Sequence, residues 1–478
     1  MDIALSYLGE SGVRLDGELA DVRFAPNLRR RPVYFEGGLR DPLLFRDSLL
    51  NLHDVVVSDF DTRLTAADID AILDPVVTAA RDEIFFEAFS QDESSYGRVA
   101  LKAEMIGAFE EWQGGTTNVD FTPALAQAIG AIRSTSRAAL RVEKEGFAVR
   151  TEAGNTREKK VQVPASWLRG FLNVQAAMSF PAHTFELGRA DLRNLLAFMR
   201  THKEREGPRA LVLRLTPGQP VQAVFEPWNH VMPLTQSIYH GDEEVEVRLW
   251  GRRRLSLLNR MIPKIRRVTA YLLGSGYPSF WLCDLGAVSF TLGISGWTVR
   301  PFASSGLSLA TPRATVDAST LADVLRTVQA GEQVSAAALG RALGLSPATT
   351  GTALALLCEQ GKVMFDLEAG SYRWRELLDT PLDDLRTETD HRREAAGQEL
   401  VRTGRVHIDR ETVSGVLRAY SGTVRGENST YPVSITLDAE GRMVDGDCGC
   451  TWFQYNHLRA GPCKHLIGLA QQVLQDGG

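Results

Sequence analysis

Cysteine is scarce in this chain, 5 in 478 residues, and the number is odd. Such a set excludes a disulfide framework and fits a reducing cytoplasm. No run of about 18 consecutive apolar residues occurs, so no transmembrane helix is expected. The opening stretch, MDIALSYLGESGVRLDGE, lacks a basic region followed by an apolar one, so no secretory signal is expected. Charge of one sign is also lacking: 53 Lys and Arg against 59 Asp and Glu leave a net −6. That argues against a protein that coats polyanions with its whole surface. Lysine supplies only 8 of the 53 basic residues, a bias that fits a GC-rich bacterial genome. What is present is ordinary: 44% hydrophobic and 23% charged residues, the composition of a soluble globular protein. At ~100–200 residues per domain the length suggests about three or four domains.

Catalytic motifs are missing as well. There is no Gly-x4-Gly-Lys-Ser/Thr loop to cradle phosphates, no Gly-x-Ser-x-Gly elbow and no His-Glu-x2-His helix. Gly274-x-Gly276 lacks the helix and spacing of a dinucleotide site. Asp59 and Asp61 follow an apolar run, and a turn explains two such acids as well as a metal does. No enzyme activity, small-molecule substrate or membrane contact is expected.

The pattern along the chain predicts an α+β multidomain protein. Residues 1–163 read as an N-terminal α+β domain, with a buried strand over 52–60. Helices are expected over 66–89 from Thr65, over 96–112 and over 123–132. Residues 141–163 read as a linker or an exposed hairpin. A second α+β domain, 164–305, opens with helices over 167–178 and 189–203. Six strand-like runs follow between 210 and 295, with a basic helix over 251–265 between two of them. Residues 306–318 read as a linker. Residues 319–378 carry three short helical patterns and then two strands across Glu368-Ala369-Gly370. That order resembles the winged helix-turn-helix fold. A charged connector, 379–400, leads to a final module, 401–478, of strands and a closing helix.

The chemistry concentrates in that last module. Cys448-Gly-Cys450, twelve residues, then Cys463-Lys-His465 supply three thiols and an imidazole, the donor set of closed, tetrahedral structural zinc. Each residue of a regular helix turns about 100°, so residues two apart point to nearly opposite sides. Cys463 must therefore precede the helix and His465 lie in its first turn, with Pro462 setting the start. Gly449 is expected to let the backbone fold around the ion. His457, inside the intervening loop, is a further donor that reads as a solvated loop histidine. Cys283 and Cys358 read as core thiols.

The Cys-x-Cys, loop, Cys-x-His pattern resembles the SWIM zinc finger. Strands before the first cysteine and the apolar run Leu466-Ile467-Gly468-Leu469-Ala470 after the histidine fit it too. The resemblance, over roughly the last fifty to eighty residues, implies Cys448, Cys450, Cys463 and His465 as ligands of one structural zinc. It also implies a role in binding DNA or proteins. Trp452, Phe453 and Tyr455 interleave with His457, Arg459 and Lys464, either as a base-stacking loop or as packing over the metal.

Nucleic-acid contacts are also sought in the basic residues. Arg248, Arg252, Arg253, Arg254, Arg260, Lys264, Arg266 and Arg267 run without an intervening acid, with Trp250 among them. Such a stripe either tracks a phosphate backbone or pairs with local acids such as Glu243, Glu244 and Glu246. Arg29, Arg30 and Arg31 form a shorter cluster. In the winged-helix-like part, the third helix (348–360) has no Arg or Lys, which leaves Lys362, Arg373 and Arg375 of the wing as contacts. The expectation is a cytoplasmic, non-catalytic zinc protein that binds DNA in transcriptional regulation or a DNA-damage or oxidative-stress response. The alternative is an adaptor that assembles a protein complex, with an ATPase as one possible partner.

Overall fold

The computed structural model describes residues 3–8, 11–16, 19–24, 33–60, 75–119, 121–142, 158–163, 165–203, 209–296, 301–304, 307–310, 316–377 and 387–476. Arg29, Arg30, Arg31, Asp61 and Thr65 lie outside them. Two compact units emerge: residues 1–167 with 182–301, and residues 168–181 with 302–478.

In the first unit, Asp41 caps helix α1 (Pro42–Val56) by accepting from the Leu44 amide, with Pro42 in the first turn. Phe45, Leu49, Leu52 and Val56 recur at helical spacing and are buried. The strand expected over 52–60 is corrected: Leu52–Val56 close the helix, with Val55 and Val56 buried, and Val57 is its exposed C-cap. Residues 66–74 of the helix expected over 66–89 lie outside the described residues; the rest of it and the helix expected over 96–112 are corrected the other way. Val76–Ala79, Glu83–Phe89, Ser95–Lys102 and Ile106–Gln113 are strands. All seven residues of Glu83–Phe89 are buried, so the alternation that marks a one-sided strand is absent. Helix α2 (Pro123–Gly130), capped by Thr122, lies where its spacing predicts.

The expected boundary at 163/164 is corrected. One eight-stranded sheet runs His183–Leu187, Arg267–Leu272, Ser279–Asp284, Val288–Ile294, Ser95–Lys102, Glu83–Phe89, Val76–Ala79, Gly115–Asn118. It joins the two expected domains where Val288–Ile294 pairs antiparallel with Ser95–Lys102. Residues 143–157 of the stretch expected as a linker or hairpin lie outside the described residues. Arg137–Val142 pairs with Leu19–Phe24 and Tyr34–Leu39, whereas Glu158–Val163 pairs with Ile3–Leu8. Helix α3 (Ala165–Met178) falls almost wholly in the second unit, and α4 (Arg189–Thr201) in the first.

A topological repeat underlies the first unit. After α1, the strands 76–79, 83–89, 95–102 and 115–118 lie side by side in the order third, second, first, fourth, once Ile106–Gln113, which pairs with Tyr34–Leu39 in another sheet, is set aside. After α4, the strands Leu211–Leu215, Pro220–Phe225, His230–Ile238 and Val245–Leu249 adopt the same order. The basic helix expected over 251–265 is a 3-10 helix, Arg252–Met261. Its buried residues fall in two rows three apart, Arg252, Leu255, Leu258 and Met261 beside Arg254 and Leu257, the period of that helix.

In the second unit, α5 (Ala318–Gly331), α6 (Ala336–Leu343) and α7 (Pro347–Glu359) are capped by Asp317, Ser335 and Ser346. They close on the small sheet Gln333–Val334, Ser371–Trp374, Val363–Asp366 over a core of Val324, Val328, Leu339, Leu354 and Leu357. The connector is corrected: Glu388–Arg402 is helix α8, opened by a Thr387/Asp390 capping box. It packs on the last helix, with Gly397 against Ile467. Four antiparallel strands follow in sequence order, Val406–Ser414, Leu417–Arg425, Thr430–Leu437 and Met443–Cys448. The first of them is mostly exposed and carries no apolar alternation for the eye to find. Then come α9 (Thr451–Asn456), a 3-10 turn (His457–Ala460) and α10 (Lys464–Asp476).

Helix α7 is covered within its own unit. Thr350, Gly351, Thr352, Ala353 and Leu354 are all buried. A Cβ on Gly351 would lie 2.5 Å from the Glu440 carbonyl oxygen, in the turn between the last two strands. Gly351→Ala is therefore expected to destabilise the second unit by about 1–3 kcal/mol through overpacking. Gly331→Ala, whose Cβ meets open space, should not. Thermal melts of the two variants check the contrast.

Candidate metal centre

Three pieces of backbone meet at one point. Cys448 ends a strand, and Cys450 is the N-cap of α9, its sulfur accepting from the Phe453 amide at 3.4 Å. Cys463 stands one residue before α10, its carbonyl accepting from the Ile467 amide at 3.0 Å. His465 falls in the first turn, as the two-residue spacing predicts. Gly461, at φ +82, turns the chain back toward Pro462 and Cys463. Gly449 is corrected: its φ is not in the left-handed region, and a Cβ there would meet nothing within 4 Å. The two strand-end cysteines converge without needing a glycine between them.

One ligand atom from each of Cys448, Cys450, Cys463 and His465 lies within 4.8 Å of the other three. His465 Nδ1 is 3.6 Å from Cys448 Sγ and 3.9 Å from Cys463 Sγ. At Zn–S bonds of about 2.3 Å, a tetrahedron has sulfur–sulfur edges of about 3.8 Å, so the group fits one zinc ion. The four side chains are 1–6% exposed. The His465 Nε2 is buried without a hydrogen-bond partner, and its ring packs 4.5 Å from the Tyr431 ring. A closed set of four protein ligands leaves no position for substrate, which makes the centre structural in kind. Among the described residues no other group of three or more His, Cys, Asp or Glu meets this way.

Electrostatics favour loading with a cation. A hydrogen bond from the Cys463 thiol holds Cys448 down at about 4 and Cys450 at about 6. The shared proton stays on Cys463, pushed far up by those same contacts. Burial lowers the His465 pKa, but hydrogen bonds to the Cys448 and Cys450 sulfurs outweigh it and raise the value overall. Three sulfurs and an imidazole competing for too few protons are a poor neutral core and a good zinc site. Cys283 is buried in a strand, and burial pushes its thiol well above the usual range.

The loop between the ligand pairs is divided. Phe453 packs inward at 3% exposed, while Tyr455 is 77% exposed. His457 is exposed at φ +47, its ring edge-on to Phe453 at 5.4 Å, and takes no part in the cluster. Arg459 donates to the Asn456 and Tyr455 carbonyls, and Lys464 is half-buried at the start of α10. Sequence reasoning missed Arg393 of α8. Its guanidinium stacks 4.6 Å from the Trp452 ring and donates to the Ala460 and Pro462 carbonyls at 2.8 and 3.2 Å. The Thr387-x2-Asp390 capping box is the signal that marks its helix.

The basic residues singled out by sequence do not form one face. Arg252 and Arg254 are buried: Arg252 donates to the Ala210 and Glu226 carbonyls, and Arg254 to Ser295. Arg248 pairs with Glu226, Arg260 with Asp54, Lys264 with Asp47 and Arg267 with Glu186. Arg253 and Arg266 are exposed. Near the small sheet, Arg373 is buried on Asp366 at 2.9 Å, Lys362 pairs with Glu376, and Arg375 is buried over the Phe171 ring. The wing is thus corrected as a source of free cations: acids and packing hold all three.

Ligand identity, closure and the strand–helix frame define a structural-zinc module. Residues 431–474 match the SWIM zinc finger family. No curated protein matches the chain in sequence. Among solved structures it is similar to the proliferating cellular nuclear antigen of Entamoeba histolytica, at 10% identity and a TM-score of 0.38, over 55% of this chain and 98% of that one. A likeness of that size carries no argument. No helix among the described residues is long and apolar enough to cross a membrane.

The purified protein should carry about one zinc per chain by elemental analysis. Cys463→Ser should lose it and unfold the last module. Arg393→Ala should weaken zinc by about 10–100-fold, as removal of an outer-shell support does; a chelator competition reads the difference.

Proposed function

We propose that the protein is a non-catalytic cytoplasmic DNA-binding protein that uses its SWIM module as a contact surface. The supporting observation is the loop that the metal closes. It holds Phe453 in the core, exposes Tyr455 at 77%, and sets exposed His457 and half-buried Arg459 near it. A fixed exposed aromatic with an arginine nearby suits stacking on a base and contact with phosphate. Zinc's part in this reading is to fold the surface, with no chemistry of its own at the nucleic acid. A regulatory role in transcription, or in the response to DNA damage or oxidative stress, rests on the resemblance to the SWIM family.

The helices and small sheet of 318–374 follow the order of a winged helix, and we read them as one. Its third helix, α7, is buried and bears no Arg or Lys, which favours a supporting use over entry into a groove. Affinity for labelled duplex should fall steeply with salt. Tyr455→Ala should cost about 1–3 kcal/mol of binding, roughly five- to 150-fold, with zinc content unchanged. Absence of salt-sensitive binding would sink the reading.

An adaptor role has one observation in its favour. The hairpin joining Val406–Ser414 to Leu417–Arg425 exposes Val413 at 60%, Val416 at 70% and Leu417 at 37%. Apolar side chains grouped at a projecting tip suit a protein partner. Val416→Asp should then abolish capture of a protein partner and leave duplex affinity unchanged, which a paired pull-down and titration would separate.

A further inference from the structure

The cleft between α4 and the 3-10 helix Arg252–Met261 holds about 640 Å³ and is lined by Arg189, Arg193 and Arg200 with Leu196, Asn259 and Pro263. Residues 189, 193 and 200 are four and eleven apart, so they share one face of α4. All three are exposed. Among the described residues, no acid pairs with any of them. Asp191, the one acid in the first turn, points elsewhere, accepting from the Gln236 amide and the Ser237 hydroxyl.

The contrast with the other side of the 3-10 helix is sharp. There it packs on α1, and Arg260 and Lys264 are matched by Asp54 and Asp47 of that helix. The cleft side carries the three arginines of α4, and no acid lines it. Arg189 also opens the first turn of α4, where the helix dipole disfavours a cation. A site that gathers positive charge against local electrostatics is shaped for an anion.

We infer that this cleft binds the phosphodiester backbone of a nucleic acid. From residue 189 to 200 the helix advances about 16 Å at about 1.5 Å per residue. Cations strung along that length meet successive phosphates of a strand and do not converge on one small anion. The low net charge of the chain is compatible, because the positive face is local. The inference rests on the DNA-binding reading above but places a second contact in the first unit.

The test is titration of the full-length protein into labelled duplex between low and moderate salt. A variant carrying Arg189→Ala, Arg193→Ala and Arg200→Ala is compared with the three lysine replacements, and Arg214→Ala serves as a control on an exposed, paired arginine of the four-stranded sheet. Each lost phosphate contact removes about 0.9 from the slope of log affinity against log salt, so the alanine variant should lose between two and three units. The lysine variant should keep the slope, and Arg214→Ala should match wild type. Melting temperatures confirm folding. If wild type binds and the alanine variant keeps its slope, this inference falls and the zinc-module reading stands. If wild type shows no salt-sensitive binding, both fall. A site that takes inorganic pyrophosphate but leaves the duplex slope untouched in the alanine variant is a small-anion site and also overturns the inference.

Discussion

Zinc held by three thiolates and an imidazole forces four atoms into a space smaller than a side chain. The backbone that carries them must comply. A strand has to end at Cys448, a helix has to begin on Cys450, and another has to begin just after Cys463. Everything between those points is then a closed loop of twelve residues, with Phe453 turned in and Tyr455 turned out. Arg393 reaches from α8 to hold both ends of that loop, through Trp452 at one and the Ala460 and Pro462 carbonyls at the other. The four-stranded sheet gives the first ligands their edge, and α8 against α10 gives the last ones their footing.

What was legible in the sequence was what is local. The ligand cluster declares itself through residue type and spacing within eighteen positions. The helices after Ser335 and Ser346 announce themselves by their caps, the second also by Pro347, whereas Asp317, the cap of the helix before them, falls within the stretch expected as a linker. The strands near residue 85 do not, because burial on both faces erases the alternation that marks a strand. The basic stretch was misleading for a related reason: its partners are remote. Arg260 meets Asp54 across 206 positions, a pairing no local reading of charge can see. The cleft arginines of α4 are spread among apolar residues and make no run at all.

The first unit holds a similar lesson about repeats. No fixed period runs through the sequence, yet four strands after a helix take one spatial order twice, with the strand Ile106–Gln113 interrupting the first set. Strand order is set by which edges can pair and which faces need covering. Many sequences satisfy those conditions, so the arrangement can recur without resemblance between the residues that build it.

The turn that crowds Gly351 gives the second unit an uncommon economy. The strand Met443–Cys448 starts beside α7, at Arg442, and ends on a zinc ligand. Six extended residues span about 20 Å. That strand is therefore a rigid strut with a helix surface bearing on one end and a metal on the other. Metal binding is coupled to folding of the segment that carries Cys448, and the turn at the other end of that strand covers a helix about a hundred residues earlier in the chain.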